Sequence, residues 1–438
     1  MSSGAAAGAA AVLGGIGPDA RARLLATLTR RFGDLDLAED SLKDAFAQAL
    51  DTWPESGVPD SPEAWLTTTA KRKALDVIRR DATAARKLAE LHIEQGGGTP
   101  DAAPDTVLTT GATVTDDQLA LVFACAHPAL KPRDRVALTL RFVGGLSTED
   151  VAHLLLIPVP TMQQRIVRAK KKISTLGIRF TVPQPEDLPE RLAAVLRVIY
   201  LIFTDGSARR TGEQHVRDDL TDEAVRLARV VHGLLGRRPE CSAEVTGLLA
   251  LLVLTQARRS SRVDDQGRPV PLKDQDRGRW DADLIAEGIA LAETAAGTEG
   301  AGTYAVQAAI AAVHAEARTY EETDWEQIAV LYGMLLRFES GPVVRLAAAV
   351  ATGRALGPER GLAALDALVA GNADSPDGAD GEVLQGFRPF HLARAVTLEE
   401  LGRPEDADTE YRRALELPGN EGEDAFLTET LAGLDAPD

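Results

Sequence analysis

The chain has 438 residues, 45% of them hydrophobic and only 4% aromatic, with a net charge of −18. That length allows two or three domains with real cores, and an aliphatic, Ala- and Leu-rich interior favours helices. Two cysteines, Cys125 and Cys241, are too few for a disulfide framework or a Cys-rich zinc site; with no signal peptide and no apolar run long enough to span a bilayer, a cytoplasmic protein with free thiols and no cofactor is expected.

The charge is not spread evenly. Residues 1–180 hold 22 Lys+Arg and 21 Asp+Glu, whereas the rest of the chain holds 26 and 45. The excess acid therefore lies in the C-terminal part, and the N-terminal part remains compatible with nucleic acid.

Residues 1–18 are rich in Ala and Gly up to Pro18 and are expected to be disordered. A helix follows over 20–32, with Leu24, Leu25, Leu28 and Phe32 on one face. A second is predicted over 34–50, with Ala38, Leu42, Ala45, Phe46 and Ala49 as its apolar stripe. Asp36, Asp40 and Asp44 stand at i, i+4 and i+8, with Glu39 beside them. Such an acidic edge is either a solvated surface or a docking edge for a basic partner helix. Residues 51–60 read as a Pro/Gly loop carrying Trp53. The next helix, over 63–80, has Trp65, Leu66, Thr69 and Ile78 for an inner face and Lys71, Arg72, Lys73, Arg79 and Arg80 as its basic residues. An aromatic loop beside a basic helix suits a single nucleic-acid strand, cations holding the backbone and bases stacking or entering pockets.

Residues 81–115 lack sustained periodicity and read as a flexible linker, on the order of 30–35 Å across as a coil. Two helices are predicted in 116–143. The stretch 146–173 then reads as helix, tight turn, helix. Ser147 and Asp150 have the spacing of a capping box, Pro158 ends the first helix and Pro160 suits the first turn of the second. In the second, Met162, Ile166, Ala169 and Ile173 share one face. Thr161, Gln163, Gln164, Arg165, Arg168, Lys170, Lys171 and Lys172 occupy the remainder, with five basic and no acidic residues from Pro160 to Ile173. Amide and guanidinium groups near a helix N-terminus can read base edges in a major groove, and lysines at the far end suit phosphates. Taken alone, the pattern also fits an amphipathic hairpin with a solvated basic face.

Beyond residue 188 the sequence reads as helix after helix, over 192–203, 219–235, 243–257, 281–295 and 304–317. A polar interruption, 258–280, contains a turn at 264–267 and the segment DQDRGRW, for which internal ion pairs are expected. His314 and Glu316 are two residues apart and point to different helix faces, so they are not a metal pair. Ala395, Gly402, Ala407, Tyr411 and Ala414, within 390–418, have the small/large spacing of a tetratricopeptide repeat; a weaker unit lies at 343–368, with a Gly/Asp-rich insertion at 371–381 between them.

The succession of an acidic amphipathic helix (LAEDSLKDAFAQAL), a W-L basic helix (SPEAWLTTTAKRKALDVIRR), a linker and a unit ending in a basic helix (LKPRDRVALTLRFVGGLSTEDVAHLLLIPVPTMQQRIVRAKKKI) resembles a sigma factor of the sigma-70 family, extracytoplasmic-function group. The resemblance covers about residues 20–178. It implies an all-α protein with a region 2 bundle at 19–80, a linker at 81–115, a region 4 helix-turn-helix domain at 116–178 and a C-terminal helical regulatory domain at 179–438 with tetratricopeptide-like character.

The implied function is non-enzymatic. Core RNA polymerase would dock on Asp36, Glu39, Asp40 and Asp44, and Trp53, Lys71, Arg72, Lys73, Arg79 and Arg80 would open and hold the −10 element. Thr161 to Lys172 would read the −35 element, and the C-terminal domain would take a regulatory protein or ligand. Arg72 departs from the Asn that many relatives carry there. Two other classes fit parts of the pattern: a polymerase-independent helix-turn-helix regulator, and a repeat-type interaction scaffold.

Overall fold

The computed structural model describes residues 2–94, 114–207, 218–266, 268–370 and 376–434. Among them the fold is all-α, and the nearest thing to a strand is a single bridge between Val263 and Pro269. The chain forms two compact units, 1–198 and 199–438.

The first unit begins with α1 (Ser2–Gly14), where disorder is expected from composition. Alanine has the highest helix propensity of any residue, and Ala9, Leu13 and Ile16 gain burial, with α1 packed on α3. Next come α2 (Pro18–Phe32), α3 (Leu35–Ser56) and α4 (Pro62–Glu94). Pro at N1 opens α2 and Gly33, at φ 69°, closes it; Asp34 caps α3 by accepting from the Leu37 amide at 3.0 Å. The interior is lined by Leu24, Leu25, Leu28, Ala38, Ala45, Leu66, Ala70 and Ala74. Two boundaries differ from the sequence expectation. α3 continues through Pro54 to Ser56, taking in the first half of the expected loop. α4 runs on through 81–94, so the first part of the expected linker is helical. Residues 95–113, the rest of that linker up to α5, lie outside the described residues.

α5 (Val114–Cys125) and α6 (Pro132–Leu138) follow, the latter passing into one π-helical turn, Thr139–Val143. Then come α7 (Thr148–Leu154) and α8 (Val159–Thr175), the helix-turn-helix. α2 packs against α5 and against the π turn, so the two halves of this unit share one core. Cys125 and Cys241 are both buried free thiols.

The chain enters the second unit within α9 (Leu188–Ser207). α10 (Asp218–Leu235), α11 (Pro239–Ala257), α12 (Ala282–Ala296) and α13 (Thr303–Glu316) follow within a few residues of the expected positions. α10, α12 and α13 surround α11. By length and composition the stretch Pro239–Ser261 is apolar enough to cross a bilayer, which corrects the expectation that no run is. Here its length serves a core: Val245, Leu248, Leu249, Leu252, Val253 and Leu254 are all buried against the helices around it. The Glu244 carboxylate accepts the amides of Gly302, Tyr304 and Ala305 at 3.0–3.1 Å, filling the N-terminus of α13.

The polar interruption folds onto α13. Arg277 donates to the His314 and Ala317 carbonyls at 2.8 and 2.7 Å and to Thr323 Oγ1 at 3.0 Å. The Arg258 and Arg277 guanidiniums lie over the Trp280 ring at 5.0 and 4.9 Å. Carbonyls and an aromatic face thus hold Arg277 where ion pairs are expected. His314, half-buried and edge-on to Trp325, is pushed down to about 4 by desolvation and then by the two arginines.

The remaining helices, α14 (Trp325–Leu335), α15 (Pro342–Leu356), α16 (Pro358–Val369), α17 (Pro376–Gln385), α18 (Arg388–Glu400), α19 (Pro404–Glu416) and α20 (Glu421–Leu434), pack largely as neighbours in sequence. Ala395, Ala407, Tyr411 and Ala414 are buried between α18 and α19, and Gly402 takes φ 67° in the turn. In the earlier pair, α15 and α16 approach at Gly353 and Gly361. A Cβ on Gly361 would fall 2.7 Å from the Gly353 Cα, and one on Gly353 would fall 2.9 Å from the Gly361 Cα. Backbone cannot yield as a side chain can. Gly361→Ala is therefore expected to destabilise the second unit by about 1–3 kcal/mol, read as a lower urea midpoint, whereas Ala364→Gly, on the same helix, should cost only about 1 kcal/mol.

Candidate nucleic-acid interface

The helix-turn-helix is locally specified. The Asp150 amide donates to Ser147 Oγ at 3.0 Å and the Ser147 amide donates to Asp150 Oδ2 at 3.1 Å, the reciprocal capping box expected of this spacing. The Ser147 hydroxyl and amide hold the Asp150 carboxyl below the usual carboxylate range. α7 ends as the Leu156 amide reaches the His153 carbonyl and the Ile157 amide reaches that of Ala152. Leu156 closes this turn at φ 49°, with its side chain exposed. An L side chain in the left-handed region costs about 1–2 kcal/mol, so the turn is held by its flanking bonds and by the burial of Val151 and Met162.

α8 buries Met162, Ile166, Ala169 and Ile173, the four residues expected. Thr161, Gln163, Gln164, Arg168 and Lys171 are exposed, and Arg165 is half-buried. Arg168 donates to Gln164 Oε1 at 3.2 Å, one turn back, which aligns an amide and a guanidinium side by side. Val167, absent from the sequence-based set, is 59% exposed in the middle of this face. An exposed β-branched apolar residue among polar neighbours is the signal that finds it, because a thymine methyl is an apolar feature of the major groove.

The other two lysines are spent within the protein. Lys172 Nζ donates to the Ala129 carbonyl at 2.8 Å. Lys170 turns away from the exposed face and pairs with Asp36 and, at 3.2 Å, with Glu39, both on α3. Arg141, in the π turn, also pairs with Glu39 and donates to the Leu146 carbonyl at 2.9 Å. Lys170, Glu39 and Arg141 are only 11, 13 and 18% exposed. Burial alone would raise the Glu39 carboxyl, but Arg141 and Lys170 overcome it and hold the group below its ordinary value. Burial likewise works against the Lys170 ammonium, and Asp36 and Glu39 outweigh it, holding the group above its ordinary value. Of the four acidic residues expected to form the docking edge of α3, Asp36 and Glu39 are thus engaged, Asp40 pairs with Lys43 at 3.3 Å, and Asp44 is exposed.

On α4, Arg72, Arg79 and Arg80 are exposed while Lys71 and Lys73 are half-buried. The two tryptophans exchange their expected places. Trp53, expected in an open loop, lies on α3 and is 2% exposed, edge-on to Trp65 at 5.3 Å. Trp65, expected in the core, is half-buried. The reason is the extension of α3 through Pro54, which carries Trp53 inward as the next residue of the Leu42–Ala45–Ala49 stripe.

Two outcomes are expected from this geometry. Leu156→Gly should relieve the left-handed strain and stabilise the chain by about 1 kcal/mol or less, read as a higher thermal midpoint. Glu39→Gln should cost about 1–3 kcal/mol at pH 7. Because the folded carboxyl titrates below its ordinary 4.5, its contribution is present above pH 4.5 and is lost as pH falls through the lowered value. The gap in urea midpoint between wild type and variant should therefore close on acidification.

Comparison with known proteins places family models on these same elements. Residues 19–83 match sigma-70 region 2, residues 121–173 match sigma-70 region 4, and residues 191–296 match a family of unknown function, DUF6596. An uncharacterised protein of Rhizobium meliloti, R00370, is 38% identical over 417 residues, covering 95% of this chain and 94% of that protein. The probable ECF RNA polymerase sigma factor SigI of Mycobacterium tuberculosis is 27% identical over 162 residues, 37% of this chain and 54% of its own length. The ECF RNA polymerase sigma factor SigK of a Mycobacterium species is 26% identical over 150 residues, 33% of this chain and 72% of its own. No solved structure matches. With regions 2 and 4 in order on a capped helix-turn-helix and an acidic helical bundle, the chain belongs to the sigma-70 family, as an extracytoplasmic-function-type member with a C-terminal extension.

Proposed function

We propose that the chain directs core RNA polymerase to promoters and initiates transcription there, recognising two separated elements and performing no covalent chemistry of its own. The observation that carries this reading is the exposed face of α8, where Gln163, Gln164, Val167 and Arg168 stand together beyond a fully formed capping box. In this reading Thr161, Gln163, Gln164, Arg165 and Arg168 read the −35 duplex, with exposed Lys171 on a phosphate and Lys170 and Lys172 engaged within the protein. Lys71, Arg72, Lys73, Arg79 and Arg80 grip the −10 strand, and half-buried Trp65, in place of buried Trp53, offers the stacking ring. Asp36, Glu39, Asp40 and Asp44 take the polymerase. A cytoplasmic location follows from these partners. The names of SigI and SigK, both called RNA polymerase sigma factors, support the same assignment.

The C-terminal unit is proposed as a fused regulatory domain of tetratricopeptide-like helix pairs. The paired small residues of α15–α16 and α18–α19 support that reading.

Run-off transcription by purified core polymerase over a promoter library is the direct test, and promoter-specific transcripts should appear only with the chain present. Arg168→Ala should weaken −35-dependent initiation by about 1–3 kcal/mol, roughly 5- to 150-fold, and relax selectivity at one base position. A chain that binds an operator without core enzyme would instead be a polymerase-independent regulator.

A further inference from the structure

The polar interruption after α11 leaves two arginines without a counter-charge among the described residues. α11 stops at Ala257, a single 3-10 turn covers Arg259–Ser261, and the chain returns so that the Asp281 amide donates to the Ala257 carbonyl at 2.9 Å. On the way it is pinned twice. The Val270 amide donates to the Arg262 carbonyl at 2.9 Å, and the Trp280 indole N–H donates to Ser261 Oγ at 2.7 Å. This folding gathers Arg258, Arg262 and Arg277 at one end of α11. Arg277 is satisfied by two carbonyls and Thr323. Among the described residues, the side chain of Arg258 bonds only to the neutral Gln275 Oε1, at 3.3 Å, and its Nε is buried with no hydrogen-bond partner. Among the same residues the Arg262 side chain has neither a hydrogen bond nor an ion pair. His314 Nδ1, on the residue whose carbonyl accepts from Arg277, is a further buried polar atom without a partner.

Acid is not scarce here, since residues 181–438 carry 45 Asp+Glu. Arg259, between the two, pairs with Asp222 at 2.8 Å. Asp264 pairs with Arg268 at 2.7 Å, and Asp276 and Asp281 accept backbone amides at 2.9–3.1 Å. The indole face of Trp280 holds Arg258 without neutralising it. Burial, then Arg262 and Arg277, push the Arg258 guanidinium down to about 10, which leaves it charged at pH 7, and burial lowers Arg262 as well. Half-buried cations with no anion are costly, and two of them near each other repel. A ligand with two negative charges removes both costs, and a guanidinium fork matches the oxygens of phosphate. We propose that Arg258 and Arg262, the former fixed by Trp280, bind a small dianionic oxyanion, either inorganic phosphate or a phosphate monoester. The site needs nothing from the promoter reading, and each can fail without the other.

The test is calorimetric titration of the full chain with inorganic phosphate, glycerol phosphate and succinate at matched ionic strength. Phosphate or glycerol phosphate should bind saturably, one per chain, and the tighter of the two tells which source the site serves. Ligand about a hundredfold above its Kd should raise the folded-to-unfolded ratio about a hundredfold, read as a higher urea midpoint. Arg262→Met, which keeps an apolar stem, should bind about tenfold or more weakly and, in chloride, be no less stable than wild type. Arg259→Met should keep the full response. In the unaltered chain, phosphate should protect Arg262 but not exposed Arg259 from phenylglyoxal, mapped by mass spectrometry. The proposal is overturned if neither phosphate nor its ester binds saturably, or if succinate binds more tightly than both. It is equally overturned if wild type and Arg262→Met respond alike, as a general salt effect would make them do. It also fails if Arg262→Met unfolds in chloride and phosphate gives no protection, which marks a purely structural arginine.

Discussion

Among the contacts that join the two halves of the N-terminal unit, one carboxylate, Glu39, takes two cations at once. It accepts from Arg141 of the π turn and from Lys170 of α8, and neither partner could be satisfied by solvent at its present burial. Both cations are drawn from elements that the helix-turn-helix needs for its own shape: Arg141 also ties the Leu146 carbonyl just ahead of the capping box, and Lys170 follows Ala169 on the buried stripe of α8. The pairing therefore constrains where α8 can lie relative to α3 while the contact persists. It also explains the division of labour on α8. Thr161, Gln163 and Gln164, toward the N-terminal end, keep their side chains exposed, whereas Lys170 and Lys172, toward the C-terminal end, bond within the protein.

Much of this was legible in the residues because much of it is local. Ser147 and Asp150 are three apart and satisfy one another's amides, so the start of α7 needs nothing from the rest of the chain. Met162, Ile166, Ala169 and Ile173 follow helical periodicity, and their burial follows from it. The helices of the second unit are likewise bounded by apolar runs that end in Gly, Pro or Asp. The errors came from long-range competition. Lys170 looks like its neighbours Lys171 and Lys172, and only two carboxylates more than 130 residues away, Asp36 and Glu39, distinguish it. Trp53 sits in a stretch whose prolines signal a loop, yet one proline near the end of a long helix costs less than leaving an indole in water. Residues 2–14 have the composition of a disordered segment, and they fold because α3 offers Ala9 and Leu13 a surface.

The C-terminal unit is built differently. Its order comes from close backbone approach and from charged groups used as internal fasteners. Gly353 meets Gly361, Gly247 lies against Ala305, Glu244 closes the start of α13, and buried Arg388 joins the Leu417 carbonyl to Asp424 and Glu423. An aromatic content of 4% leaves few large side chains to fill space. Small residues and hydrogen-bonded arginines do that work, and the acidic surplus of this half is partly consumed in these internal pairs.

The burial of Lys170 has a consequence for the free chain among bulk chromosomal DNA. Sequence-indifferent adhesion grows with the number of phosphates neutralised, and every cation withdrawn lowers the slope of log affinity against log salt by about 0.9. With Lys170 and Lys172 both committed to the protein, the idle chain has fewer cations to offer arbitrary duplex. It is correspondingly less readily stranded away from its enzyme.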